Sequence, residues 1–366
     1  MSFAVGRRLR RWPSFLACFP RGPRGKPSSA METLPPARGP LTAVLHRRLA
    51  GKADLGREVT VEVDPRTDDD LHLALYLCYQ LHYGGLAGLS DDLEWDPVVL
   101  SFRNLLENAF EGALLDQVEV DPAPDDRPMV DQLRDVVRRD RSVGVATHLQ
   151  RDASIDQYRE FMLHRSTYHL KEADPFTWLI PRLRGGPKAA LVQIQADEYG
   201  GGDAAWMHSA LFARTMTALG LDPASGPPLE QIPGTTLAVT NLLSMFGLHR
   251  RLRGQSAGAL ALFEMTSCIP NRRYGDGLRR LGFDADATRF FDEHVEADAV
   301  HEAVAATDLA GGLAKDEDLA WEILFGAHAL QVTEGLAAAQ QVEAWTAGRS
   351  SLLPPSRPAR HLAAIR

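Results

Sequence analysis

Residues 290–304 read Phe-Phe-Asp-Glu-His-Val-Glu-Ala-Asp-Ala-Val-His-Glu-Ala-Val. His294, Asp298 and His301 are spaced four and then three residues apart, so on a helix of 3.6 residues per turn they project from one face over two turns. Two imidazoles and a carboxylate suit Fe, Mn or Zn, and two histidines with one carboxylate form a common ligand set of non-haem iron centres. Asp292, Glu293, Glu296 and Glu302 surround the trio. A solvated acidic face therefore carries the same spacing, and only partners on other segments decide for a metal.

The segments around this helix read the same way. Residues 129–346 are nearly all helix, with no alternating strand pattern of any length. A helix over 153–173 carries Ile155, Tyr158, Phe161, Met162, Arg165, Tyr168 and Glu172. It is expected to stop before Asp174-Pro175, because the residue ahead of a proline is pushed out of the helical region. A helix over 187–199 ends in Glu198-Tyr-Gly-Gly-Gly202, and the next begins near Asp203 with Trp206, His208, Leu211 and Phe212. The glycine triplet follows no strand and sits in neither a GxGxxG nor a Gly-Lys-Ser/Thr frame, so it reads as a helix break rather than a phosphate cradle. After a helix over 233–249, Glu264 follows eight small or apolar residues. A carboxylate buried unpaired there costs on the order of several kcal/mol, and a bound cation removes that cost. A long helix from Leu319 to Trp345 closes the bundle.

Residues 41–120 also read as helices. Asp68-Asp69-Asp70 cap an amphipathic helix with Leu71, Ala74, Leu75, Cys78 and Leu81, ended by Gly84-Gly85. A second runs from Pro97 to Val118 after Asp96. His72 and His82 lie on the first helix and read as structural, with no fixed acid partner. The proline-rich stretch 121–128 is the expected domain boundary. Four regions follow: a disordered basic leader over 1–40, an N-terminal helical domain over 41–128, a second helical domain over 129–348, and a disordered tail over 349–366. The apolar patch Trp12–Phe19 is broken by Pro13 and too short for a secretory segment, and Met31 is an alternative start.

The 366 residues are 45% apolar and 24% charged with a net charge of −8, the balance of a globular protein with no basic groove for nucleic acid. No apolar run approaches bilayer length. Three widely spaced cysteines, Cys18, Cys78 and Cys268, fit a reducing cytoplasm better than a disulfide framework.

Polar residues set on apolar helix faces are Glu172, Glu198, His208, Glu264, His294, Asp298 and His301. They come from five helical segments, which is how helix bundles build dimetal carboxylate sites. The Glu-x-x-His pairs of ferritin-like proteins are missing among them, and Asp298-x-x-His301 is the nearest equivalent.

The arrangement resembles the haem-oxygenase-like diiron oxidases and oxygenases. The last core helix of that family carries His-x3-Asp-x2-His, matched by His294, Asp298 and His301. Glu172, His208 and Glu264, the last about thirty residues before His294, match its other ligands. Glu198, ten residues before His208, stands where members that oxygenate nitrogen carry an additional glutamate. The likeness is greatest to the N-oxygenase domain of the streptozotocin pathway, and it does not extend to the C-terminal cupin found there.

The resemblance implies an all-α, haem-oxygenase-like helical bundle with an N-terminal helical domain, forming a homodimer. It implies two Fe(II) ions, O2 as co-substrate, and an external electron donor or reductase. By resemblance Glu264 is a candidate bridge between the irons, with His208 and His301 on one side and His294 and Asp298 on the other. Which of Glu172 and Glu198 ligates at rest stays open. The implied activity is N-oxygenation of an amine, guanidine or amino-heterocycle to a hydroxylamine or nitro product in natural-product biosynthesis. Oxidative C–C cleavage or decarboxylation of an amino or fatty acid is the alternative for the same site. A non-enzymatic iron- or haem-binding scaffold is the third reading, but a porphyrin needs one proximal histidine and not this many carboxylates. Tyr199 and Trp206 are expected in the core or near the site, and Arg272 and Arg273 at an anionic substrate or on the surface.

Overall fold

The computed structural model describes residues 32–51, 61, 63–120, 126–140 and 144–354, except for the side chains of residues 298 and 299. The chain is all-α, with no strand among the described residues. In order the helices are α1 (Pro40–Leu49), α2 (Asp69–Gln80), α3 (Pro97–Gln117), α4 (Met129–Arg138), α5 (Val145–Arg151), α6 (Ile155–His169), α7 (Asp174–Thr177) and α8 (Gly185–Glu198). They continue as α9 (His208–Ala218), α10 (Gly234–Leu248), α11 (Arg253–Thr266), α12 (Cys268–Arg280), α13 (Ala285–Ala303), α14 (Gly311–Glu317) and α15 (Ala320–Thr346). A π-helical stretch, Val304–Ala310, joins α13 to α14.

Local chemistry sets most of these boundaries. The Asp68 carboxylate accepts from the Asp70 and Leu71 amides at the start of α2, and Asp96 accepts from the Val98 and Val99 amides ahead of α3, whose first residue is Pro97. Nearly every side chain of α10 is buried, so it is a central helix rather than an amphipathic surface one. On one flank α2 packs against it, and Asn241 Nδ2 donates to the His72 carbonyl at 2.8 Å. The segments before and after 121–128 thus share one hydrophobic core. Helices α11 and α15 lie in close contact because Gly258 and Gly326 bring the two backbones together.

Several expected boundaries shift. Helix α6 ends at His169, and Glu172 lies on the turn that follows. Pro175 does not terminate a long helix but sits in the first turn of α7, where its missing N–H leaves no bond unmade. The helix expected from Asp203 starts at His208, because Asp203 Oδ1 accepts from the Ala205 amide and holds a turn. Gly200, Gly201 and Gly202 all have positive φ, of 63°, 61° and 91°, and break the chain between α8 and α9 as expected.

Helix α2 stops at Gln80, short of His82. His82 does have an acid neighbour: its Nδ1 lies 3.4 Å from Glu94 Oε1, and its Nε2 is 2.6 Å from Arg103 Nη1. The last residues of the expected leader are packed, with Arg38 donating to the carbonyls of Asp69 at 3.1 Å and Ile232 at 2.6 Å, and Tyr76 to Glu32 Oε1 at 3.0 Å. Ser351, in the expected tail, is buried and bonds His164 Nε2 at 2.9 Å. The remainder of the leader, with Cys18 and Met31, lies outside the described residues, as do residues 121–125 and 355–366. Cys78 and Cys268 are free thiols, and among the described residues no helix is long and apolar enough to cross a membrane.

Candidate metal centre

Five local structures bring the candidate ligands together. Glu172 comes from the turn after α6, Glu198 ends α8, His208 opens α9, Glu264 lies in the last turn of α11, and α13 carries both His294 and His301. Each of two groups, Glu172 with His208 and His294, and Glu198 with Glu264 and His301, offers three ligand atoms within 4.8 Å of one another. The triads meet where His208 Nδ1 lies 3.1 Å from Glu198 Oε2. Asp298 is on α13 between the two histidines, but its side chain is outside the described residues.

The expected partition of the histidines is wrong. His208 sits with His294, their ring centroids 4.4 Å apart, and not with His301. The cause is that α9 meets α13 at the height of His294, whereas at about 1.5 Å per residue His301 stands roughly 10 Å further along α13. At that height α13 faces α11, where His301 Nδ1 lies 3.5 Å from Glu264 Oε2, and meets α8 through Asp197. Glu172 and Glu198, left open from sequence, fall one in each triad.

Second partners orient the imidazoles. His294 Nδ1 lies 2.8 Å from the Phe290 carbonyl, which directs Nε2 toward Glu172 Oε1 at 3.5 Å. His301 Nε2 donates to Asp197 Oδ2 at 3.0 Å and keeps Nδ1 facing inward. His169 Nδ1 is 2.7 Å from Glu172 Oε1. Carboxylates and carbonyls behind a ligating imidazole fix its tautomer and orientation. Neither Asp197 nor His169 was singled out from sequence; the i, i+3 spacing of His169 and Glu172 was the available signal for one of them.

A divalent ion fits this donor set. Glu172 Oε2, Glu198 Oε2, His208 Nδ1 and His301 Nδ1 are buried yet make no hydrogen bond of good geometry, and such atoms call for another partner. Burial works against the Glu172 carboxylate, but the imidazoles of His169 and His294 outweigh it and hold its pKa well below the usual range. Burial likewise opposes protonation of His208 and His301, and their carboxylate neighbours override it, pushing His208 upward and His301 up to about 9. Imidazolium protons and a metal cation serve the same purpose here: each offsets three carboxylates in a confined space.

The triads open on a cavity of about 410 Å³, reached by Glu172, Glu198, Glu264 and His294 and walled in part by Phe161, Phe176, Phe212 and Phe291. Tyr199 is half-buried, and its hydroxyl donates to Asp174 Oδ1 at 2.8 Å. Trp206 is 44% exposed beneath the Arg289 guanidinium, 4.8 Å from its ring centroid, so it is neither core nor site. Arg272 is exposed, whereas Arg273 lines the cavity.

Residues 159–333 match the family described as iron-containing redox enzymes, and all seven candidate ligands fall inside that span. A stretch of 136 residues, 37% of this chain, is 28% identical to nitrosourea synthase of Streptomyces achromogenes subsp. streptozoticus. The match covers 29% of that relative's length. The candidate carboxylates and imidazoles thus gather inside the span, residues 159–333, over which this chain is similar to the iron-containing redox enzymes.

Proposed function

We propose that the chain is an O2-dependent non-haem diiron oxygenase that N-oxygenates an amine, guanidine or amino-heterocycle to a hydroxylamine or nitro product in natural-product biosynthesis. The observation that carries this reading is the pair of adjoining buried triads opening on one metabolite-sized cavity. Glu172, His208 and His294 would hold one Fe(II), and Glu198, Glu264 and His301 the second, with Asp298 a further candidate beside them. Three carboxylates against two divalent ions leave a single net positive charge, which neutral imidazoles do not alter.

Bound iron supplies the activation of O2, with two electrons and two protons from an external donor sending one oxygen atom to nitrogen and the other to water. The protein's own part is positioning. His169 and Asp197 hold Glu172 and His301 in place, and the phenylalanine wall keeps bulk water from the reacting nitrogen. The name nitrosourea synthase, that of an enzyme forming a nitroso compound, favours nitrogen over carbon as the oxidised atom. A homodimer and a separate reductase complete the proposal.

The test is anaerobic Fe(II) loading followed by rapid mixing with O2, and then mass spectrometry of products from amine and guanidine libraries. The expected result is two irons per chain, a transient visible band, and one oxygen atom added at nitrogen. Glu264→Ala and His294→Ala should each abolish the band. Fewer than about one iron per chain with no band would refute the oxygenase, whereas a carbon-chain cleavage product would keep the metals and replace the reaction.

A further inference from the structure

We propose that the substrate is amphoteric, with an anionic group such as a carboxylate received by Arg273 and an N–H donor received by Gln195 Oε1. The assignment deepens the N-oxygenase reading and rests on it for the identity of the nitrogen end; the two contacts themselves are independent of iron.

Gln195 lies on α8 three residues before Glu198, so the two share a helix face. The residue is 4% exposed and lines the cavity. Its Nε2 donates to the Ala173 carbonyl at 3.1 Å. Flipping the amide would set oxygen against oxygen, so the orientation is determined and Oε1 is the acceptor left over. That Oε1 is buried and has no hydrogen-bond partner. A buried acceptor is costly to leave unmade, so a ligand N–H beside Glu198 is the natural complement.

Arg273 supplies the other end. Arg165 also lines the cavity, but Glu334 takes its charge at 2.8 Å. Arg273, on α12, has a single hydrogen-bond partner among the described residues, Thr147 Oγ1 at 3.0 Å, and no ion pair. Its planar fork of N–H donors matches a carboxylate in two-point geometry. Phe161, Phe212, Leu260 and Phe291 line the same cavity and suit the methylene chain of such a ligand.

Calorimetric titration of the metal-free full chain with ω-amino acids of four to eight carbons tests this, with hexanoate and hexylamine as single-ended controls. One chain length should bind at least tenfold more tightly than either control. Arg273→Gln should reduce that ligand to the hexylamine level, and Gln195→Leu to the hexanoate level, both variants keeping the wild-type helical circular dichroism. Equal binding of double- and single-ended ligands, or an Arg273→Gln protein that binds as wild type, would overturn the assignment, and the arginine arm stands even if Gln195→Leu does not fold. Iron stoichiometry, measured separately, should be unchanged in Arg273→Gln. Two irons without ω-amino-acid binding would refute the anchors and spare the metal centre, whereas tight binding by a chain that takes no iron would do the reverse.

Discussion

Substituting Gly258 by alanine tests the helix contact that supports Glu264. A Cβ at position 258 would lie 1.9 Å from the Ile323 carbonyl oxygen, and one at Gly326 would lie 2.0 Å from the Gln255 oxygen. Ordinary carbon contacts begin near ~3.5 Å, so α11 and α15 would have to part by roughly 1.5 Å. The obstacle is helix backbone, and no rotamer change relieves it. A gap of about 0.5–1 Å already forfeits a quarter to a half of the dispersion attraction, and overpacking a core costs about 1–3 kcal/mol. The immovable neighbour points to the upper end, ~3 kcal/mol. With unfolding entropy of about 2.1 cal/mol/K per residue over 366 residues, Tm should fall by about 4 °C. Glu264 lies six residues along the same helix, so iron content should fall as well. Gly112→Ala is the control: no atom lies within 4 Å of its would-be Cβ in α3, and alanine there should stabilise by up to about 1 kcal/mol. Scanning calorimetry of both variants decides. Gly258→Ala melting within about 1 °C of wild type, with Gly112→Ala behaving as expected, would refute the close contact of α11 and α15.

Metal should raise Tm through both triads: each ion at a hundredfold excess over its Kd contributes about 2.7 kcal/mol. His294→Ala and His301→Ala should each lose roughly half of the shift measured against their own metal-free forms, and a shift untouched by both places the metal elsewhere. Asp197→Asn should weaken the ion held by Glu198, Glu264 and His301 by about 10- to 100-fold, read by Co(II) absorption titration, because it loosens the His301 ring. Burial pushes His164 down to about 3 and His72 to about 4, against about 6.5 unfolded. Below pH 6.5 the unfolded chain binds more protons than the folded one, so stability present above that pH is lost as pH falls, by about 2 kcal/mol per histidine at pH 5. Urea midpoints at pH 7.5 and 5 should show this loss, and it should shrink in His164→Gln.

The readable parts of the fold are those set by neighbours in the chain. Asp68 and the Asp96-Pro97 pair mark helix starts because a cap bonds amides two and three residues on. Contacts between distant segments were not readable. Arg38 belongs to a stretch whose composition suggests disorder, yet its guanidinium finds backbone carbonyls near Asp69 and Ile232. Those acceptors leave no trace in side-chain pattern. The same holds for His82, whose partners Glu94 and Arg103 lie on the next two elements. Pro175 misled in another way: one residue type both ends helices and begins them, and only the packing of α7 distinguishes the two.

For the site, the candidate residues were legible because an ionisable group on an apolar helix face carries a cost that needs a reason. The grouping was partly legible too. Seven residues of α-helix rise about 10 Å, too far for His294 and His301 to share one ion, so helix geometry alone already assigns them to different triads. It does not say which receives His208; that depends on α9 meeting α13 at the height of His294. Asp197 was hidden for the opposite reason. Adjacent helix residues point about 100° apart, and with Glu198 facing inward its neighbour reads as a solvent-facing acid. The Asp197 side chain is indeed 58% exposed, yet from that rim it reaches the Nε2 of an imidazole that is 1% exposed. An exposed carboxylate thereby sets the tautomer of a buried imidazole, a role that exposure alone would not suggest.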